Sequence, residues 1–268
     1  MDIIFVIIFL ILLGFALKSF GILSEKDKVA LNNIVIYVGL PALVFNSMLT
    51  YVKAGELASF FKLTIFILLI SLLSAGLAYL VGKKLLKLQP KSLAAFILVC
   101  ACGNTAFMGF PIITGFYGTE GFARAIFCDI ATLIIAVVLA SYLGSKISGQ
   151  KVSILNIFKQ ILKFPPAIAW TAALVLILLG IDMAIFPTVV PTVLNLLSGV
   201  VVPLIMISIG ISLSGKYLKI ALIPAIGVTI IQLFIAPIMG ILALPLFSFA
   251  ELDKKVAVLE AGMPPAMI

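Results

Sequence analysis

The recurrence of apolar runs about 20 residues long constrains the fold of this chain more than any other feature. Hydrophobic residues make up 64% of the sequence and charged residues 10%, whereas about a quarter of a soluble domain is charged. In lipid, every backbone N–H and C=O group must find a partner within the protein, which favours helices. The runs predict an all-α polytopic membrane protein with nine spans, at residues 3–20, 30–49, 63–81, 92–116, 121–143, 165–181, 191–213, 218–247 and from 254 onward.

The basic residues lie in the links between these runs and predict the orientation of the chain. Lys and Arg number 13 in the links after the first, third, fifth and seventh spans, and 5 in the other links. Because cytoplasmic links are richer in Lys and Arg, the N-terminus is predicted to lie outside a cell (plasma) membrane. The basic residues of these links account for the net charge of +8, which therefore does not indicate a nucleic-acid partner.

The fourth predicted span is interrupted in a way that a simple membrane helix is not. Its stretch Val99–Gly118, VCACGNTAFMGFPIITGFYG, contains four glycines, Pro111 and the polar pair Asn104-Thr105. A second interrupted stretch, VLEAGMPPAMI, lies in the ninth span at residues 258–268. Broken helix is tolerated in a bilayer only where protein or a cavity surrounds it, so a matched pair of breaks indicates a binding site.

The chain also repeats itself. Asn33 and Pro41 in the second span have the same separation as Asn195 and Pro203 in the seventh, an offset of 162 residues, and the two interrupted stretches match at an offset of 159. Five spans per repeat make the second copy enter the membrane from the opposite side, which is an inverted repeat. The match places residue 268 midway through a broken span, so we expect a C-terminally truncated second repeat. The predicted parts are a first repeat, a cytoplasmic connection and an incomplete second repeat of four spans, at residues 1–143, 144–163 and 164–268.

The groups at the two breaks favour an anionic ligand. Proline within a helix removes a hydrogen bond, and breaks that meet leave half-helix N-termini whose partial positive charge suits a carboxylate. Asn104 and Thr105, which follow Gly103 in the first break, add hydrogen-bonding groups without a fixed charge. The alternative for Asn104 is that it only satisfies backbone groups freed by the break. Asn46 in the second span and Gln232 in the eighth either contact the substrate or bridge helices.

Two acidic residues within predicted spans, Asp129 and Glu260, are candidates for an ion or a proton. Intramembrane acids are costly, so either could bind Na⁺ or carry a proton, the alternative being local pairing with a hydroxyl or a lysine. The sequence has no histidine, and its cysteines, Cys100, Cys102 and Cys128, lack the spacing of a metal or redox site. No nucleophile motif or P-loop is present, so no enzyme, cofactor, metal site or ATP-driven pump is predicted.

Three motifs carry a resemblance to a known family. GNTAFMGFPI followed by FYG resembles the fourth-span signature of the auxin efflux carrier family, which includes the plant PIN-type carriers and prokaryotic malate and malonate permeases. LPALVFNSM resembles the second-span motif of that family, and AGMPPAM resembles its ninth-span motif. The resemblance extends over the whole chain.

This resemblance implies two inverted five-span repeats with crossing broken helices, an architecture similar to NhaA and to the bile-acid symporters. It also implies a scaffold domain, a mobile transport domain and dimers formed through the scaffold. By the same resemblance, Asn104 and Pro111 belong to the first crossing helix, and Met263 and Pro264 to the second. The sequence departs from the family in its second proline, Pro265, and in the missing C-terminal segment.

The sequence therefore predicts a secondary transporter of small organic anions, such as malate, malonate or auxin-like acids, with elevator-type alternating access. The alternative is a Na⁺- or H⁺-coupled symporter or antiporter of related fold, in which Asp129 carries the ion. A third class is a receptor or scaffold protein, which would bind a ligand tightly without transporting it. The expected partners are the organic anion, the lipid bilayer and a second copy of the chain.

Overall fold

The computed structural model describes residues 2–149, 161, 163–213 and 222–266. These residues are helical almost throughout and contain no β-strand, which confirms the all-α prediction. They form nine main helices, numbered α1 Asp2–Ser19, α2 Glu25–Tyr51, α3 Ala54–Leu85, α4 Pro90–Ala101, α5 Thr105–Ser148, α6 Pro165–Leu178, α7 Val189–Ser212, α8 Leu222–Leu246 and α9 Glu251–Ala261.

Five helices of the described residues, α2, α3, α5, α7 and α8, are long and apolar enough to cross a membrane. Helices α4 and α6 and the stretch Ile4–Ser19 of α1 are apolar but shorter. Residues 150–160 and 162 of the predicted cytoplasmic connection, residues 218–221 of the predicted eighth span, and Met267 of the ninth-span motif lie outside the described residues. The lengths and apolar composition of these helices fit a multi-pass membrane protein.

Helix α5 is 44 residues long, which is about twice what a single crossing needs. A sharp kink at Gly118 divides it, with φ 64° and ψ −163° in a backbone region that is essentially restricted to glycine. The part before the kink completes the predicted fourth span, and the part after it is the predicted fifth span. The kink at Gly118 therefore falls between the predicted fourth and fifth spans.

One compact unit, here called the first unit, consists of Met1–Leu57, Phe110–Ala123 and Lys163–Lys216. Helices α1 and α7 pack closely within it, since a β-carbon at Gly14 would overlap the backbone of Ile207 and one at Gly210 would overlap the backbone of Ile11. Small residues allow such close approach of membrane helices. Asn46 Nδ2 donates to Asn195 Oδ1 at 2.7 Å and joins α2 to α7.

The other compact unit, here called the second unit, consists of Ala58–Gly109, Arg124–Leu162 and Tyr217–Ile268. It holds α3, α4, most of α5, α8 and α9. Arg124 Nε of α5 donates to Asp253 Oδ1 of α9 at 2.5 Å, and both side chains are largely buried. This ion pair attaches the beginning of α9 to α5. The two predicted sequence repeats are defined by duplication and not by compact packing, so they are distinct from these two units. The division into repeats stays a prediction.

Candidate functional site

The two interrupted stretches run side by side in the second unit. Helix α4 ends at Ala101 and α5 begins at Thr105, while α9 ends at Ala261 and an irregular segment follows to Ala266. The N–H of Asn104 donates to the carbonyl of Pro264 at 2.7 Å, and the N–H of Ala266 donates to the carbonyl of Cys102 at 2.9 Å. Gly103 and Pro265 form an antiparallel bridge between these two bonds. We call residues 102–104 and 262–266 the crossing.

Backbone pairing across the crossing explains how broken helix is accommodated in an apolar protein. Pro264 and Pro265 have no N–H to satisfy, and the carbonyl of Pro264 accepts the bond from Asn104. Each break therefore supplies partners for the other, as spanning segments in lipid require. Met263 is buried and lies in ordinary van der Waals range of the position that a β-carbon on Gly103 would occupy.

Asn104 begins the helix that follows the first break. Its Oδ1 accepts from the N–H of Phe107 at 3.1 Å, and its carbonyl accepts from the N–H groups of Met108 and Gly109 at 3.1 and 3.0 Å. The side chain is thus an N-cap, which satisfies one of the N–H groups that a helix leaves open at its start. The cap uses the oxygen of the side-chain amide and leaves its Nδ2 available to a ligand.

Thr105 and Asp129 form a second polar pair of the second unit. Thr105 Oγ1 donates to Asp129 Oδ1 at 2.6 Å, and Thr105 is buried while Asp129 is part-buried. One oxygen of the Asp129 carboxylate is therefore held by a neighbouring hydroxyl. This is the local pairing that the sequence leaves open as an alternative to an ion-carrying role.

Glu260 lies in the last turn of α9 and differs from Asp129. Its side chain is 2% exposed, and neither carboxylate oxygen has a hydrogen-bond partner among the described residues. A β-carbon built on Gly109 would overlap both oxygens, so Gly109 leaves the space that this carboxylate occupies. An isolated buried carboxylate is costly in the ionised form, and a proton or a bound cation removes that cost.

A small polar cavity lies beside Glu260. Its volume is about 10 Å³. This is room for about one water molecule or one bare ion. The polar side chains that line it are four hydroxyls, one amide and one carboxylate, from Ser71, Ser74, Thr105, Thr132, Gln232 and Glu260. The hydroxyls of Ser74 and Thr132 have no hydrogen-bond partner in the described part of the chain.

The helix ends at the crossing carry charge of both signs. Helix α5 begins at Thr105 and presents the partial positive charge of its N-terminus. Helices α4 and α9 end at Ala101 and Ala261 and present the partial negative charge of their last carbonyl groups. In transporters with broken helices, N-termini face anionic substrate groups, whereas carbonyls and C-termini coordinate cations. The crossing offers both kinds of environment.

The remaining predicted site residues have different positions. Gln232 is buried, lines the cavity and donates from Nε2 to the carbonyl of Val99 at 3.2 Å. Pro111 lies within α5, beyond the break and after the widened π-helical turn Thr105–Gly109. Asn46 belongs to the first unit, where it is paired with Asn195.

Sequence reasoning missed three contributors to the cavity region. Ser74 and Thr132 supply unpartnered hydroxyls, and Gly109 supplies the space for the Glu260 carboxylate. A weak signal was available, because Ser71 and Ser74 are three residues apart on α3 and thus share a helix face. The described residues contain no group of three or more His, Cys, Asp or Glu side chains that could hold a metal ion.

These features define a multi-pass helical membrane protein with a broken-helix site, which is the class of the membrane transporters. The full chain, residues 1–268, matches the family model described as membrane transport protein, to which the auxin efflux carriers belong. The chain therefore belongs to the membrane transport protein family and is a transporter rather than an enzyme.

Two archaeal relatives support the assignment. The chain is 38% identical over 269 residues to an uncharacterized transporter of Methanocaldococcus jannaschii, covering all of this chain and 86% of the relative. It is 34% identical over 262 residues to an uncharacterized transporter of Methanothermobacter thermautotrophicus, covering 98% of this chain and 84% of the relative.

Proposed function

We propose that this protein is a secondary transporter of small organic anions, carboxylates such as malate, malonate or auxin-like acids, and that the crossing binds them. The observation that carries the proposal is the meeting of residues 102–104 with residues 262–266, where α5 begins. The anion's carboxylate would accept hydrogen bonds from the N-terminal N–H groups of α5 and from Asn104 Nδ2. No basic side chain belongs to either segment, which suits a ligand that must also leave.

The division into two units is compatible with an elevator mechanism. The crossing lies wholly within the second unit, which we assign as the transport domain. We assign the first unit as the scaffold and as the surface that joins two copies into a dimer. The cell membrane, with the N-terminus outside, is the location that the distribution of Lys and Arg favours.

The second candidate function is Na⁺- or H⁺-coupled transport with Asp129 as the ion carrier. It is favoured by the position of Asp129 next to Thr105, the first residue of α5, and by the one carboxylate oxygen that the Thr105 hydroxyl does not occupy. Flux that follows Na⁺ or pH and ignores organic anions would favour this candidate over the first.

The test is flux of labelled malate, malonate and indole acetate in proteoliposomes that contain the purified protein. At least one of these anions should be carried, and Asn104→Ala should reduce its flux about tenfold or more, because a buried hydrogen-bonding ligand is lost. Asn33→Ala is the matched control, since Asn33 is exposed and belongs to the first unit. Unchanged flux in a folded Asn104→Ala protein would refute the site, and tight binding without flux would indicate a receptor.

A further inference from the structure

We propose that the polar cavity beside Glu260 is a binding site for one dehydrated monovalent cation, of which Na⁺ is the natural probe. Glu260 supplies the charge of the site, and Ser74 and Thr132 supply neutral oxygen ligands. The sequence names both Asp129 and Glu260 as candidates for an ion, and the alternative function assigns the ion to Asp129; this proposal assigns the cation to Glu260.

Within the described residues, Glu260 has neither an ion-pair partner nor a hydrogen-bond partner. The side chain is 2% exposed, and neither carboxylate oxygen has a partner among the described residues. Buried charges in proteins are normally paired or bound to an ion, because an isolated ionised carboxylate pays a large desolvation cost. The hydrogen bond between Thr105, which also lines the cavity, and Asp129 does not include Glu260.

Unsatisfied oxygens converge on the same small space. Ser74 Oγ and Thr132 Oγ1 are buried without a hydrogen-bond partner in the described residues, and both residues line the cavity together with Glu260. Buried polar atoms that lack partners are uncommon in native proteins and call for an explanation such as an unseen water or ion. A cation explains four of them at once, the two hydroxyl oxygens and the two oxygens of Glu260, because it binds oxygen atoms that no donor occupies.

The chemistry of the lining residues indicates the type of ion. Their polar side chains carry only oxygen atoms, apart from the amide nitrogen of Gln232, which suits a hard cation. A single acidic side chain in the lining matches one positive charge, whereas Ca²⁺ takes about six to eight oxygen ligands and Mg²⁺ usually keeps several waters. The cavity volume of about 10 Å³ leaves no room for a hydration shell.

The local helix dipole also bears on the charge of the ligand. Glu260 lies in the last turn of α9, where the carbonyl groups at residues 258–260 accept from the N–H groups of Gly262 and Met263 at the C-terminal end of the helix. A helix C-terminus favours a cation, and carbonyl groups at broken helices coordinate Na⁺ in transporters. The backbone and the side chain therefore favour the same charge.

This inference deepens the proposed function, because a cation at Glu260 would cancel the negative charge that otherwise repels an organic anion from the crossing in the same unit. Only this coupling rests on the proposed function. Binding of the cation itself does not, so it is measured without any organic anion. If Na⁺ stabilises the protein but the protein transports no organic anion, the cation site is supported and the proposed function is refuted.

The experiment compares the unfolding temperature of the purified full chain in NaCl and in choline chloride at constant ionic strength and pH. A ligand that binds only the folded state raises the unfolding temperature by mass action. The unfolding temperature should rise and saturate with Na⁺ in the wild type and in Glu251→Gln, a control on the same helix whose acidic side chain is 77% exposed. Glu260→Gln should abolish the response.

A second pair of variants keeps the test decisive if Glu260→Gln does not fold. Thr132→Val and Ser74→Ala should each weaken the apparent Na⁺ affinity about tenfold, since each removes one neutral ligand. Equal unfolding temperatures of the wild type in Na⁺ and choline, at every concentration, would overturn the proposal and point to a protonated Glu260. A folded Glu260→Gln protein with wild-type Na⁺ affinity would overturn it too.

Discussion

The two ends of α9 handle a buried acid in opposite ways. Asp253, near the beginning of the helix, is 5% exposed and accepts from Arg124 at 2.5 Å. Glu260, near the end, is 2% exposed and has no partner among the described residues. Seven residues separate them, so they lie on the same side of the helix and within the same unit. The difference teaches which acid serves the fold and which is available to a ligand.

The largest expected effect comes from removing the paired acid. Asp253→Asn takes away the counter-charge of a largely buried ion pair, which typically costs about 3–5 kcal/mol. Glu260→Gln removes a charge that has no partner in the described part of the chain, so in choline chloride we expect a protein at least as stable as the wild type. Thermal unfolding of both variants checks the contrast. Equal destabilisation by the two substitutions would mean that Glu260 has a structural role like that of Asp253.

The next effect compares a buried glycine at a helix contact with an exposed glycine. Gly210→Ala places a β-carbon against the backbone of Ile11, which cannot rotate away, and should cost about 1–3 kcal/mol through overpacking. Gly144→Ala is the matched control, because a β-carbon there meets nothing within 4 Å. Chemical or thermal unfolding measures the difference. A Gly210→Ala protein as stable as the control would show that α1 and α7 are not held at this distance.

A substitution at Gly109 tests whether Glu260, the acid near the end of α9, has to occupy its position beside the cavity. A β-carbon at Gly109 overlaps the Glu260 carboxylate, a side chain that can move, so Gly109→Ala should destabilise less than Gly210→Ala. It should instead reduce the apparent affinity for Na⁺ about tenfold or more, because the displaced carboxylate leaves the cavity. Sodium titration of the unfolding temperature measures this. An unaltered titration would mean that Glu260 does not have to occupy this position.

The smallest expected effect concerns Asp129. Thr105→Val removes the hydroxyl that donates to Asp129 Oδ1 at 2.6 Å and should cost about 0.5–1.5 kcal/mol, the usual net contribution of one hydrogen bond. Thr119→Val removes an exposed hydroxyl that donates to Tyr51 and should cost less. Unfolding measurements in choline chloride compare the two. A larger loss in Thr119→Val would contradict the importance given to the pair of Thr105 and Asp129.

The sequence was sufficient to predict the helical class and the two interrupted stretches, for physical reasons. Glycine, proline and Asn104 within apolar runs are costly in lipid unless broken backbone finds partners, so these residues identify the breaks directly. The exact position of the first break was harder to predict from the sequence. It falls at residues 102–104, ahead of Pro111, because Asn104 caps the new helix and the wide turn Thr105–Gly109 comes before the proline.

The sequence could not predict which of the two acids of α9 is paired with a basic side chain and which is not paired within the described residues. Glu260 and Asp253 are both acids in a short helix, and only the fold brings Arg124 to one and Gly109 to the other. The hydroxyls of Ser74 and Thr132 are separated by 58 positions in sequence, and they become part of one site only where α3 and α5 line the same cavity. Such convergence depends on helix packing, which the periodicity of apolar residues does not determine.

The most direct test of the account is binding of carboxylates at the crossing, measured by the unfolding temperature with dicarboxylates and indole acetate in NaCl and in choline chloride. We predict that at least one carboxylate raises the unfolding temperature of the wild type in a saturable way, more strongly in Na⁺, and that Asn104→Ala removes this effect. The absence of any carboxylate effect, or an equal effect in a folded Asn104→Ala protein, would contradict the account.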